Sequence, residues 1–269
     1  MAFQIAMLAS GSKGNAALVI NGQQYFLIDM GISCRELVKR LKTLQIQPEQ
    51  LKAIFITHEH TDHIRGLATF TKKYNTPIYS SENTWRAILN HENNILRSSC
   101  HIIATNLLYN NIQISSFAIP HDAMDPHGYI FEDLECGEKC CYLTDTGFVT
   151  DEVRKAVDNA DVLVLEANHD VEMLKNGRYP LVLKQRILST RGHLSNDSAG
   201  WLLAGMEKLP RHVFLAHLSE ENNEPQLALA TVKKVLQDAA KELPKKIFVA
   251  LQHEVVTDYL PPEQNIFED

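Results

Sequence analysis

The residues with the clearest chemical potential lie in one short segment, His58-Glu59-His60-Thr61-Asp62-His63, which we call the hexad. Side chains two positions apart on an extended chain point to the same side, so His58 and His60 can bind one metal ion together. Asp62 and His63 follow at a turn, where the chain can direct them to a second ion close by. Three imidazoles and one carboxylate suit zinc, iron or manganese. The hexad therefore predicts a metal site.

Six residues cannot complete the coordination of two ions, so further ligands must come from other segments. A histidine or an aspartate follows an apolar run at three later points of the chain, at His121, Asp145 and His217. Short apolar runs of this kind are typical of buried strands. Because donors at the ends of separate strands can converge on one rim, we expect these three side chains to join the hexad.

The elements that must position these donors are strands that alternate with helices. Apolar runs predict a strand before each donor segment, at residues 53–56, 112–118, 139–143, 162–166 and 213–216. Asn21-Gly22 is typical of a hairpin turn, and Ser33 is placed to cap a helix. Helical patterns fill residues 171–206. Two blocks, each of strands followed by helices, favour two packed sheets with helices outside.

The whole pattern favours one domain over residues 1–260, followed by a loose, Pro-containing acidic tail over residues 261–269. A chain of 269 residues, 45% of them hydrophobic, can bury a core without disulfides. Five cysteines, an odd number at low density, favour a reducing compartment, and we expect a cytoplasmic protein. No apolar run approaches the roughly 20 residues of a membrane-spanning helix, so no membrane association is expected.

The net charge of −7 excludes a protein that is coated in positive charge, so any contact with nucleic acid must be local. Residues 170–192 reverse this balance, with five basic side chains against two acids. Lys184 and Arg186 in this segment, and Lys13 in a Gly-rich turn, are the predicted phosphate contacts. The alternative is that all three belong to ordinary solvated surfaces.

The hexad, the three later donors and Asp29 in the segment Ile28-Asp29-Met30-Gly31 resemble the metallo-β-lactamase fold hydrolases. The resemblance extends over about residues 8–225 and implies a single-domain, four-layer αββα sandwich with a site for two metal ions on the edge between its sheets. It implies one ion on His58, His60 and His121, a second ion on Asp62, His63 and His217, and Asp145 between them. Asp29 is implied to hold the hexad loop without touching metal, although a turn acid after a strand is the alternative.

Five motifs further resemble one subfamily, YycJ/WalJ (VicX), which is related to ribonuclease Z-type phosphodiesterases. The motifs are residues 8–15, 120–126, 166–170, 192–196 and 217–223. Members are regarded as nucleases, with DNA exonuclease activity implied. The resemblance implies that Glu166 and His193 form a pair whose imidazole donates a proton to the leaving oxygen. His169 lies close enough in sequence to take this part instead, and the sequence does not separate the two histidines.

The predicted function is therefore that of a phosphodiesterase with two divalent metal ions (zinc, manganese or iron), acting as a DNA exonuclease through a metal-bridging hydroxide. Asp62 is expected to orient this nucleophile as well as bind metal. One alternative is an ester or thioester hydrolase of the glyoxalase II kind, in which Glu166 and His193 would be idle. Another is a non-catalytic, metal-stabilised regulatory module. The sequence leaves open the metal, the oligomeric state, and the choice of strand, polarity and endo- or exonuclease action.

Overall fold

Two seven-stranded sheets face each other in a computed structural model that describes residues 2–92, 94–103 and 106–261. The strands are, in chain order, β1 Gln4–Ala9, β2 Ala16–Asn21, β3 Gln24–Ile28, β4 Leu51–Phe55, β5 Ile78–Ser80, β6 Cys100–Ile102, β7 Leu107–Tyr109, β8 Ile112–Ala118, β9 His127–Asp133, β10 Glu138–Leu143, β11 Val162–Glu166, β12 His212–Ala216, β13 Lys246–Val249 and β14 Val256–Thr257. The first sheet has the order β14-β1-β2-β3-β4-β5-β6, and the second has the order β13-β12-β11-β10-β9-β8-β7.

The helices cover the outer faces of the two sheets. They are α1 Cys34–Thr43, α2 Thr61–Ile64, α3 Leu67–Thr71, α4 Glu82–His91, α5 Asp151–Val157, α6 Val171–Asn176, α7 Leu181–Ile187, α8 Asn196–Ala204 and α9 Pro225–Asp238. The Ser33 hydroxyl accepts a hydrogen bond from the amide of Glu36 at the start of α1, as its position predicts. No helix in the described ranges is long and apolar enough to cross a membrane.

The core has three layers, because strands of both sheets are buried on both faces. In β1, Ile5 and Met7 belong to the cluster between the two sheets. Ala6 and Leu8 alternate with them and belong to the cluster that includes Leu37 of α1. A third cluster joins the second sheet to α5, α8 and α9. The predicted four-layer αββα sandwich is confirmed.

The topology gathers strand ends on one edge of the sandwich. Strands β3, β4 and β5 run parallel in the first sheet, and β10 to β13 run parallel in the second. Asp29 follows β3, the hexad follows β4, and Asp145 and His217 follow β10 and β12. Every predicted donor segment is therefore a connection that leaves the end of a strand.

The predicted helical region 171–206 is divided into α6, α7 and α8. Pro180 precedes α7 because its ring cannot continue a helix from α6. Gly192 lies where a Cβ atom would be 2.1 Å from the carbonyl oxygen of Ile187, so the chain passes closely over the end of α7. The resulting loop carries His193. Apart from Pro261, the predicted tail lies outside the described residues.

Candidate metal centre

The seven predicted ligands meet at the edge of the sandwich. Four groups of side chains each bring potential ligand atoms within 4.8 Å of one another. Their members are His58, His60 and His121 in the first group, Asp62, His63 and His217 in the second, His58, His63 and Asp145 in the third, and Asp145, Glu166, His193 and His217 in the fourth. The groups share residues, so the donors form one continuous cluster with Asp145 at its centre.

The distances between donor atoms fit shared metal ions. Two ligand atoms that each lie about 2.1 Å from one ion are at most about 4.2 Å apart. Nε2 of His63 lies 3.6 Å from Oδ2 of Asp62 and 3.5 Å from Oδ2 of Asp145. Oδ1 of Asp145 lies 4.0 Å from Nε2 of His121. Oδ2 of Asp145 thus faces His63, whereas Oδ1 faces His121 and lies 3.3 Å from Nδ1 of His217.

Buried ring nitrogens without protein partners support the same fit. Among the described residues, Nε2 of His58, Nε2 of His217 and Oδ2 of Asp145 are buried without a hydrogen-bond partner. A buried polar atom without a partner costs about 1–3 kcal/mol. Because all three atoms point into the cluster, coordination of a metal would satisfy them. The set of imidazole and carboxylate donors suits a transition metal.

Asp29 and two of the predicted ligands, Asp145 and His217, adopt a backbone conformation that is uncommon outside glycine. Asp29, Asp145 and His217 have φ angles of 58°, 58° and 57°. Asp29 and His217 directly follow β3 and β12, and Asp145 follows β10 after one residue, so each left-handed residue turns the chain at the end of a strand. Such residues cost about 1–3 kcal/mol and cluster at functional sites. The strand-end turns are therefore adapted to place donors.

The side chain of Asp29 holds the hexad in place through hydrogen bonds. Its fully buried carboxylate accepts hydrogen bonds from the amide of Thr57 at 2.9 Å and from Nδ1 of His63 at 2.7 Å. The Thr57 hydroxyl donates to the same carboxylate and lies 2.9 Å from Nδ1 of His58. Both imidazoles can therefore carry their proton on Nδ1, which presents the lone pair of Nε2 to the cluster.

The other two buried imidazoles are oriented in the same way by the second sheet. Nδ1 of His121 lies 3.2 Å from the carbonyl oxygen of Gly192, and Nδ1 of His217 lies 2.9 Å from Oε1 of Glu166. In each case a hydrogen bond at Nδ1 fixes the tautomer and presents Nε2 to the cluster.

Glu166 lies at the centre of a second network. Its fully buried carboxylate is 2.8 Å from Nδ1 of His193 and accepts hydrogen bonds from the amides of Thr146 and Leu194. Burial raises the pKa of Glu166, but His193 and His217 outweigh burial and lower it well below its usual range. Glu166 is thus an ionised acceptor that is already occupied, which makes it a positioning group rather than a ligand.

The charge states of two predicted ligands, Asp145 and His58, suit metal binding. Burial alone would raise the pKa of Asp145. His217 and His63 outweigh burial and lower this pKa below its usual value, so the carboxylate is ionised. Burial and the neighbouring histidines hold the pKa of His58 well below its usual range, which keeps its imidazole neutral. Metal ligands must be neutral imidazoles and ionised carboxylates. These two residues are already in those states.

His193 and His169, which the sequence does not separate, have different surroundings. The His193 side chain is 21% exposed and contacts Glu166. His169 is buried, burial lowers its pKa to about 4, and neither ring nitrogen has a hydrogen-bond partner among the described residues. The histidine that the structure pairs with Glu166 is therefore His193.

The three predicted phosphate contacts lie in different settings. Arg186 on α7 forms an ion pair with Asp122, with Nε 2.5 Å from Oδ2. Lys13 forms an ion pair with Glu220, and its side chain is 64% exposed. The ammonium of Lys184 donates to the carbonyl oxygen of Lys175 at 2.7 Å. Arg186 is the one of the three that lies beside a neighbour of a predicted ligand.

Sequence reasoning missed several supporting residues. The Ser10 hydroxyl accepts from the amide of His217 at 2.7 Å, and the Asn15 amide lies 3.1 Å from Nε2 of His63. Asn168 donates to the carbonyl oxygen of His217. Ser10 and Asn15 lie in the motif at residues 8–15, and Asn168 lies in the motif at residues 166–170, so the sequence marks these segments. Its meaning depends on contacts between segments that are distant in sequence.

Known proteins resemble this chain along most of its length. The family described as the β-lactamase superfamily domain matches residues 24–218. Exodeoxyribonuclease YycJ of Bacillus anthracis is 36% identical over 241 residues, 88% of this chain and 90% of that protein. Exodeoxyribonuclease WalJ of Streptococcus pneumoniae is 39% identical over 242 residues, 88% of this chain and 89% of that protein. The metallo-β-lactamase fold protein YhfI from Bacillus subtilis superposes with a TM-score of 0.68 at 18% identity, covering 95% of this chain and 99% of that chain.

Proposed function

Because the chain belongs to the metallo-β-lactamase superfamily, we propose that it is a metal-dependent nuclease that degrades DNA from an end. The names of its relatives, which are exodeoxyribonucleases, support the substrate and the mode of attack. The observation that carries the proposal is the Glu166–His193 pair, with 2.8 Å between Oε1 and Nδ1, beside a cluster of metal-type donors. A simple ester hydrolase has no need of this pair.

The donor set has room for two divalent ions. His58, His60 and His121 would hold one ion, Asp62, His63 and His217 would hold the other, and Asp145 would contact both. When bound, two such ions supply Lewis acidity toward a phosphodiester and a water of lowered pKa as nucleophile. Zinc, manganese and iron are all compatible with these ligands.

The protein's own residues supply proton transfer and orientation. Glu166 would hold Nδ1 of His193 and stabilise the imidazolium, so that Nε2 can donate its proton to the leaving oxygen. The Asp62 side chain is 24% exposed, more than the buried ligands around it, so its carboxylate can also orient the attacking group. His169, which is buried behind this pair, would have a structural part.

The basic side chains and the unpaired cysteines are consistent with a cytoplasmic nuclease. Arg186 would supply the phosphate contact beside the predicted ligand His121, and Lys13 and Lys184 would contact phosphates further along the DNA. All five cysteines lie among the described residues and are unpaired, which supports a reducing cytoplasm.

The proposal is tested with end-labelled single- and double-stranded DNA and protein loaded separately with manganese and zinc. We expect metal-dependent release of label, loss of most activity in His193→Ala, and wild-type activity in the matched control His91→Ala at the exposed end of α4. Faster hydrolysis of a thioester than of bis(p-nitrophenyl) phosphate, with His193→Ala silent, would refute it. Tight binding of two metal equivalents without hydrolysis of any substrate would favour a regulatory module.

A further inference from the structure

A cavity of about 260 Å³ opens directly beside the Glu166–His193 pair. Its lining includes His193, residues of α7, and Ser12 and Ser219 in the loops after β1 and β12. Cavities that hold drug-sized ligands measure about 300–1,000 Å³. This cavity lies just below that range, so it favours a single nucleotide over a run of several.

The wall formed by α7 and the residues before it is chemically suited to a nucleotide. Tyr179, Leu183 and Ile187 line it with an aromatic ring and two aliphatic side chains, and Arg186 adds a cation. None of the residues of α7 is buried, so the helix does not use these side chains to form core. An aromatic ring offers a stacking surface to any base. The guanidinium of Arg186 is a planar donor that matches phosphate.

The Arg186–Asp122 ion pair fixes this cation at the mouth of the cavity. Asp122 follows the donor His121 in sequence, and its Oδ1 lies 3.3 Å from Nε2 of that imidazole. Only the side chain of Asp122 therefore separates the guanidinium of Arg186 from the predicted ligand His121. A phosphate held by metal at His121 would lie within reach of the same guanidinium.

From this arrangement we propose that the cavity holds the terminal nucleotide of the DNA, with its base stacked on Tyr179 and its phosphate contacted by Arg186. The inference rests on the proposed nuclease function and adds to it the size of the product. A cavity for one nucleotide next to the proton donor places the scissile bond one residue from the chain end. The product is therefore a mononucleotide.

The test uses 2-aminopurine deoxyribonucleoside 5′-monophosphate, whose fluorescence is quenched by stacking, titrated into metal-loaded protein without turnover. We expect Tyr179→Ala to weaken binding at least about five-fold, the lower limit for loss of one base–aromatic stack. Tyr179→Phe, which keeps the ring, restores binding and quenching. The matched control is Val182→Ala on α7, where the side chain is 78% exposed and does not line the cavity. Inorganic phosphate, which has no base, measures the metal contribution in each variant.

Unchanged nucleotide affinity in Tyr179→Ala, or DNA products of two or more nucleotides, would overturn the cavity assignment while leaving the nuclease proposal intact. Tyr179-dependent nucleotide binding by a protein that does not cleave DNA would support the cavity and overturn only the proposed reaction. A uniform loss of affinity for both nucleotide and phosphate would point to damage at the metal centre and would also count against the assignment.

Discussion

Substituting Asp29 separates the support of the hexad from the metal ligands themselves. Its fully buried carboxylate accepts from the Thr57 hydroxyl and from two N–H groups, the Thr57 amide and Nδ1 of His63. Asparagine has one acceptor oxygen, so it can satisfy only one of the two N–H groups. If its oxygen faces Thr57, its NH₂ group faces His63 and moves the imidazole proton to Nε2. That tautomer cannot bind metal through Nε2.

The magnitudes differ between two variants. Asp29→Asn keeps a residue that tolerates the left-handed φ of 58° and keeps one hydrogen bond, so we expect it to cost about 1–3 kcal/mol of unfolding free energy. Asp29→Ala loses the charged hydrogen bond, leaves the Thr57 amide unpaired and adds backbone strain, for about 4–6 kcal/mol in total. Loss of a group that orients a ligand lowers metal affinity by about 10- to 100-fold. We expect that loss in both variants.

The assay combines calorimetric metal titration with denaturant unfolding of metal-free protein. Asp238→Asn, on an exposed aspartate at the end of α9, is the control and should match wild type in both measurements. The reasoning would be refuted if Asp29→Asn were destabilised but still bound both metal equivalents with wild-type affinity. Asp29 would then be only a turn acid after β3.

Further predictions concern catalysis, packing, thiols and metal. His193→Ala should lower kcat for phosphodiester cleavage by about 10²–10⁴ with metal content unchanged, and a wild-type kcat would remove this imidazole from the reaction. Gly31→Ala would place a Cβ atom 1.5 Å from the carbonyl oxygen of Asp62, so both Tm and bound metal should fall; a wild-type Tm would contradict this contact. At pH 8, a thiol reagent should modify exposed Cys136 while Cys141, whose pKa burial raises to about 12, reacts only after unfolding, as mass spectrometry can show; native labelling of Cys141 would contradict its burial. When free metal is present at 100 times its Kd, removing it should lower the free energy of unfolding by about 2.7 kcal/mol per ion, which is measured as a fall in Tm. An unchanged Tm would count against binding at this cluster.

The sequence was informative where a local pattern has one structural meaning. The hexad places four predicted donors within six residues, and the alternation in β1 of side chains that face two different cores follows from strand geometry. The donors His121, Asp145 and His217 could be anticipated because each follows an apolar run. The αββα layers followed from the resemblance together with the order of strands and helices.

Other features depend on contacts between distant segments and carry no local signal. Glu166 was predicted to pair with His193, but its second contact with His217 exists only because β11 and β12 lie side by side. The left-handed conformation of His217 has no local sequence signal, and its backbone is held by Ser10 and Asn168, which are distant in sequence. Strands β6, β7 and β14 have two or three residues each, too short for a periodic pattern to predict them.

The most direct measurement is a crystal structure of the protein grown with manganese, with anomalous scattering collected at the manganese edge. Two peaks about 3.5–4 Å apart, one against His58, His60 and His121 and the other against Asp62, His63 and His217, with Asp145 touching both, would agree with the account. A single peak elsewhere, or no peak at this edge of the sandwich in protein that was saturated with metal, would contradict it.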